Sequence, residues 1–321
     1  MIMVILPSVS IVGVAQATEV LSGLEVPYGL FVDKTGNLHF VEFGGLGESN
    51  GALKKLPPGA SQPIVLLANL TNPYAVVGDE HGNLYFTDRT GTLRMLRADG
   101  TEPEVVMSDL GRIYGLAMGG DGSLYLALFG SPLGEGGGAI ARLTAPAAQE
   151  GRNLQVLAAN LNHPVGIAVN AENEVYFTEY GDNGTIKKLD VNGEVQTILD
   201  PAKTAAGLAL DASGNLYYAD SSDGSIKVMA DGTPPTKTLV KNISGPWTIA
   251  ISADGKLYVA EKSTDGSILV IEPPQPPPYD LTLILVLAIV ALLVPAILKL
   301  TRSRSRREKV QHGVEKPHRK A

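Results

Sequence analysis

The stretch Ala206-Gly-Leu-Ala-Leu-Asp-Ala-Ser-Gly-Asn-Leu-Tyr-Tyr-Ala-Asp220 holds two short apolar runs separated by a polar turn. Each run is too short for a helix, and Gly214-Asn215 suits a tight connection between antiparallel strands. Altered copies begin near Pro27, Pro73, Ile113, Pro164, Ala205 and Pro246, at spacings of 46, 40, 51, 41 and 41 residues. Short strands repeating at about forty residues predict a propeller or solenoid array.

Each copy continues in the same way. A third strand follows a Gly-rich turn, as in Gly184-Thr-Ile-Lys-Lys-Leu189, and a fourth follows it, as in Glu194–Leu199. The sixth copy has no fourth strand, because the chain passes from Ile271 into a proline-rich run. A spare strand, Thr18–Ser22, precedes the first copy. Pairing it with Gly266–Ile271 would complete the last blade and remove the open sheet edges. The expectation is an all-β, six-bladed propeller over residues 18–272, with four-stranded blades.

The ends differ from this body. Residues 1–17 are nearly all apolar and close on Ala15-Gln16-Ala17, which predicts a signal peptide. Residues 273–280 are a Pro-rich linker of extended character. Residues 281–298 carry no charge and, as a helix, would be about 27 Å long, close to the hydrocarbon thickness of a bilayer. Residues 299–321 hold nine Lys or Arg against two Glu, a net +7. The positive-inside rule makes this basic tail cytoplasmic and the propeller extracellular, on a single-pass anchor in the cell membrane. The remainder of the chain is then −14, against −7 for the whole. So acidic a body argues against nucleic acid as a partner. The absence of cysteine excludes a thiol nucleophile and cysteine-ligated zinc.

Comparing the copies isolates candidate site residues. The position opening each copy holds Tyr28, Tyr74, Tyr114, Val165, Ala206 and Trp247, an aromatic arc interrupted over two blades. Such an arc suits interblade packing first and, as the alternative, a mouth for a sugar ring, an aromatic group or a peptide. A second ring, at the end of the second strand, holds Glu42, Asp88, Glu179, Asp220 and Glu261, with Leu128 in the third copy. Convergent carboxylates suit Ca²⁺ or Mg²⁺, with Glu42, Glu179 and Glu261 as metal candidates. Five repeats of one role suit turn architecture better, each acid accepting bonds from backbone amides. Two long Gly-rich loops, Phe43–Gly51 and Phe129–Gly138, fall on the same face. His163 is the catalytic candidate on that face, while His39 stands where other copies have Tyr and is expected to pack.

Runs such as Pro164-Val-Gly-Ile-Ala-Val…Val-Tyr-Phe-Thr-Glu179 resemble the NHL-repeat propellers and, among them, virginiamycin B (streptogramin) lyase. Ala52-Leu-Lys-Lys-Leu-Pro-Pro-Gly-Ala60 is similar to repeats of the extracellular sensor propellers of bacterial receptor Ser/Thr kinases. The lyase resemblance implies paired histidines, a glutamate and a divalent ion at the mouth; only His163 answers to that set. Related lactonase propellers carry Asn and Asp metal ligands just before the repeat Gly, where this chain has aromatic and small residues. The expectation is a membrane-anchored, non-catalytic module that binds a protein, glycan or small molecule, or an accessory subunit of a membrane complex. The alternative is a metal-dependent lyase or hydrolase of the streptogramin lyase or lactonase type.

Overall fold

A computed structural model of the chain describes residues 15–130, 137–144, 146 and 152–272. Residues 1–14 of the signal peptide expected over 1–17, the stretches 273–280, 281–298 and 299–321 expected to be linker, anchor and tail, and positions 131–136 of the second Gly-rich loop lie outside the described residues. Contacts divide the chain into a unit over Met1–Pro273 and a second over Pro274–Ala321. Among the described residues no helix is long and apolar enough to cross a membrane.

The described residues form 24 strands, β1 (Ala17–Leu24) to β24 (Gly266–Ile271), in six antiparallel four-stranded sheets. Five sheets use four consecutive strands. The sixth has the order β1, β24, β23 (Leu257–Glu261), β22 (Pro246–Ile251), so the N-terminal strand closes the ring as expected. Ala17 pairs with Ile271 and Leu24 with Gly266, which starts the strand one residue ahead of Thr18. The innermost strands are β2 (Pro27–Val32), β6 (Val76–Gly78), β10 (Arg112–Met118), β14 (Pro164–Val169), β18 (Ala205–Leu210) and β22. Second strands such as Leu38–Glu42 and Val175–Glu179 are buried at every position. Outermost strands such as Ile64–Leu70 are half to fully exposed. This gradient follows from sheets stacked face to face around an axis, where a strand's burial falls with its radius.

Small residues set how closely the blades approach. A Cβ on Gly138, which opens a third strand, would lie 2.1 Å from Pro164 Cδ of the next blade. The Gly that opens the third strand and the Pro that opens the next blade are thus one contact. Buried threonines bridge neighbours: Thr178 Oγ1 donates to Ala206 O (2.8 Å) and accepts from Gly166 N (2.8 Å). Thr87 Oγ1 plays the same part between Ala75 N (3.2 Å) and Ile113 O (3.0 Å).

His39 packs as expected. Tyr85 and Tyr217, at the matching position, donate from their hydroxyls to the turn aspartates Asp79 and Asp211 (3.2 and 3.0 Å). His39 Nε2 meets Asp33 in the same way at 2.9 Å, but its Nδ1 is buried without a partner. Burial pushes the imidazole pKa below its ordinary value, although Asp33 opposes this. The unfolded chain therefore takes up a proton before the folded one as pH falls below about 6.5, so stability drops on that side. His39→Tyr keeps the Asp33 bond and removes the orphan nitrogen. It is expected to raise stability by ~1 kcal/mol near neutral pH and by more at pH 5, read from paired thermal melts.

Candidate ligand site at the mouth of the propeller

Strand register places the opening residue of a copy opposite its second-strand acid: Pro27 faces Glu42, Pro164 faces Glu179, Ala205 faces Asp220 and Pro246 faces Glu261. Both rings of candidates therefore lie at one end of the propeller. Their side chains separate there.

The acids turn away from the axis, toward the third strand of their own blade. Glu42 pairs with Lys54 (2.7 Å), Asp88 with Arg94 (3.2 Å), Glu179 with Lys187 (2.8 Å) and Asp220 with Lys227 (2.6 Å). They also accept from nearby donors: Glu179 Oε1 from Asn162 N and Oε2 from Thr185 Oγ1, and Asp88 Oδ1 from Thr90 N. Glu261, whose blade has Leu269 in place of the cation, accepts from Ser244 N at 2.8 Å. Burial pushes Asp220 up, but Lys227 and Thr204 prevail and hold it below the usual carboxylate range. The pairing was readable in the copies, since the third blade lacks both partners, with Leu128 for the acid and Ala141 for the cation. Among the described residues no three His, Cys, Asp or Glu come together as a metal-holding group. Glu42, Glu179 and Glu261 sit on separate blades, each with donors of its own. The donor set at the mouth does not fit the divalent ion that the lyase and lactonase resemblances imply.

The aromatic residues turn inward and meet. Tyr28 is the hub, with ring centroids 5.3 Å from Tyr74, 5.6 Å from Trp247, 5.8 Å from Phe43 and 6.1 Å from Tyr114. Tyr74 and Tyr114 are 4.5 Å apart. Tyr28, Tyr74 and Trp247 are buried, and Tyr114 is half-buried. Burial pushes the Tyr28 and Tyr74 hydroxyls above the usual tyrosine range, so both stay neutral donors at physiological pH. The rings pack against one another, and Tyr28, Phe43, Tyr74 and Tyr114 also line a pocket of about 240 Å³. The channel beneath is small, about 60 Å³, and bounded by Gly29, Gly115, Gly166 and Gly207.

A second ring of residues, directly after the acids, completes the mouth and escaped the sequence reading. It comprises Phe43, Arg89, Phe129, Tyr180, Ser221 and Lys262. Phe129 stacks on His163 at 4.4 Å and lies 4.9 Å from Tyr114, while Tyr180 meets Trp247 at 5.2 Å. His163 is exposed at positive φ and stands outside the pocket lining. Lys262 is the least expected member. Its residue as a whole is exposed, yet its ammonium end turns in to lie 3.6 Å from the Trp247 centroid and 4.7 Å from that of Tyr28. Nζ also donates to Tyr28 Oη at 3.0 Å. Loss of solvent pushes this amine down to about 8, while the ring faces attract the charged form and oppose the shift. Between about pH 8 and 10.5 the unfolded chain binds the proton that the folded chain has lost, so stability rises with pH across that window.

No protein-family model matches the chain. No curated protein matches it either. Solved structures do. A gluconolactonase from Xanthomonas campestris is 14% identical at a TM-score of 0.65, over 81% of this chain and 91% of that one. A streptogramin B lyase is 16% identical at a TM-score of 0.57, over 80% and 98%. A chain from a nidogen/laminin complex is 20% identical at a TM-score of 0.57, over 70% and 86%. The chain shares its fold with lactonase and lyase propellers. At such identities the likeness is one of fold, because one propeller scaffold carries many unrelated sites.

Proposed function

We propose that this chain is a ligand-binding propeller whose mouth, floored by Tyr28, Tyr74 and Tyr114 and capped by Lys262, takes up a small organic molecule. The observation that carries the reading is the pocket itself: aromatic rings and hydrogen-bond donors converge on it from several blades. Its size, below the usual range for drug-sized ligands, suits a single ring or a short chain.

Turnover of that molecule is the second reading. Shared fold with gluconolactonase and streptogramin B lyase structures favours it over a purely non-catalytic role. The metal-dependent form finds little support in the residues, since the acids proposed as ligands are engaged within their own blades. A metal-free form would rest on Lys262, whose amine is poised to accept a proton beside the Tyr28 hydroxyl. The test is a panel of lactones and lyase substrates, run with and without a chelator on wild type and Lys262→Met. Turnover that survives chelation and is lost in the variant would support the metal-free enzyme. Turnover abolished by chelation and restored by Ca²⁺ or Mg²⁺ would overturn it in favour of a metal enzyme.

We propose also that residues 281–298 hold the propeller at the outer face of a cell membrane, a reading that rests on the sequence. Resistance of the full-length chain to alkaline extraction, with protease cleavage of the propeller in intact cells, is the expected result.

A further inference from the structure

The charge pattern of the mouth goes further than its shape. Arg89, Arg112 and Lys262 all line the pocket, and no Asp or Glu does. The cations one strand away, Lys54, Arg94, Lys187 and Lys227, are each neutralised by an acid of their own blade. The three at the mouth make no ion pair with any described residue. Both arginines share the pocket lining with Tyr28, Tyr74 and Tyr114. Clustering of like charge carries an electrostatic cost, and here it occurs in a body whose net charge is strongly negative.

Beside the cations stands an apolar rim. Leu46 is 74% exposed at the edge of the same pocket, next to half-buried Phe43. Its loop is held firmly. Asn72, fully buried, donates to Phe43 O (3.0 Å) and Gly45 O (2.8 Å) and accepts from Gly47 N (2.9 Å). Asn72 thus fixes the backbone on both sides of Leu46, which holds that side chain beside the pocket.

We infer that the mouth binds a small organic carboxylate with an apolar body, the carboxylate held by Arg89, Arg112 and Lys262 and the body laid on Leu46 and Phe43. The inference rests on the mouth being the ligand site and adds the chemical class of ligand. Guanidinium groups match a carboxylate in fork geometry, and the Tyr hydroxyls supply further donors. A free phosphate would satisfy the cations but leave the rim uncovered.

Trp247 is the sole tryptophan of the chain and touches the Lys262 ammonium, so its fluorescence reports on the pocket. The experiment titrates the full-length chain in mild detergent with cyclohexanecarboxylate, cyclohexanemethanol and inorganic phosphate. The expected result is a saturable change with the carboxylate and at least ~10-fold weaker response to the alcohol and to phosphate. Arg89→Gln and Arg112→Gln should each weaken the carboxylate by ~10-fold or more, and Leu46→Ser should weaken it while leaving phosphate unchanged. Equal response to acid and alcohol, insensitive to both arginine variants, would overturn the anion assignment and leave a neutral-ligand mouth standing. Phosphate binding as tightly as the carboxylate would overturn the apolar body. No response to any of the three, with Trp247 fluorescence unchanged, would count against the mouth as a ligand site altogether.

Discussion

Leu21→Asp is expected to destabilise the propeller by ~4–6 kcal/mol, lowering its thermal midpoint by roughly 10–20 °C. Leu21 lies on the N-terminal strand, 8% exposed, paired with Ile268 of β24 in a cluster that includes Leu24, Phe40 and Leu56. Removing the apolar side chain forfeits about 2–3 kcal/mol of burial, and a carboxylate in its place must shed water among apolar neighbours. The strand is also what covers the outer edge of the last blade. Its loss leaves β24 with unpaired backbone groups along one side, the condition that closed rings avoid. Thr18→Asp serves as the control, since Thr18 is exposed on the same strand and should shift stability by less than about 0.5 kcal/mol. Thermal melts by circular dichroism read both variants. A Leu21→Asp melt within about 1 kcal/mol of wild type would show that the ring holds without this seam.

Closure by the first strand was legible because two irregularities complement one another: a copy short of one strand at the end, and a spare strand at the start. The blade count was legible for a simpler reason. Six copies of Gly-Leu-Ala-Val and Leu-Tyr-Phe-Thr patterns must pack the same way, so their shared residues report the fold. The mouth was legible only in part. Tyr28, Tyr74, Tyr114 and Trp247 stood out because the opening position differs from blade to blade. The position after the acid holds Phe43, Arg89, Phe129, Tyr180, Ser221 and Lys262, a set with no shared chemistry to mark it in the sequence. What brings Lys262 inward is a ring from a neighbouring strand, and no local pattern encodes that contact. The acids show the reverse. Their convergence in sequence position suggested a common site, while four of the five side chains pair with a Lys or Arg of the third strand and Glu261 with Ser244 N. Comparing the copies at both positions together, with Leu128 beside Ala141, would have revealed the pairing.

Gly166→Ala is expected to cost ~3 kcal/mol or more and to disturb the mouth from below. A Cβ at Gly166 would lie 2.1 Å from Ala206 O, 3.1 Å from Gly207 Cα and 3.1 Å from Leu208 N, all backbone atoms of the next innermost strand. Nothing flexible stands there to give way. The same crowding recurs around the axis, at Gly115 against Val165 O (2.4 Å) and at Gly207 against Trp247 O (2.7 Å). Four of the six innermost strands, at Gly29, Gly115, Gly166 and Gly207, thus use a glycine to let the neighbour approach, while Ala75 and Thr248 hold the same place in the other two. Thr178 fixes that approach between blades four and five by bonding both Gly166 N and Ala206 O. Forcing β14 and β18 apart must strain those bonds, and it displaces Val165 and Ala206, which pack in the same cluster as Tyr28 and Trp247. The variant should therefore change Trp247 fluorescence as well as the melting temperature. Gly120→Ala is the control: Gly120 is exposed, and its added Cβ would meet nothing nearer than Ala171 O at 3.9 Å. It should leave stability within about 0.5 kcal/mol and the fluorescence unchanged. If Gly166→Ala lowers stability but leaves Trp247 silent, the aromatic floor is anchored by its own ring contacts rather than by the glycine-lined strands beneath it.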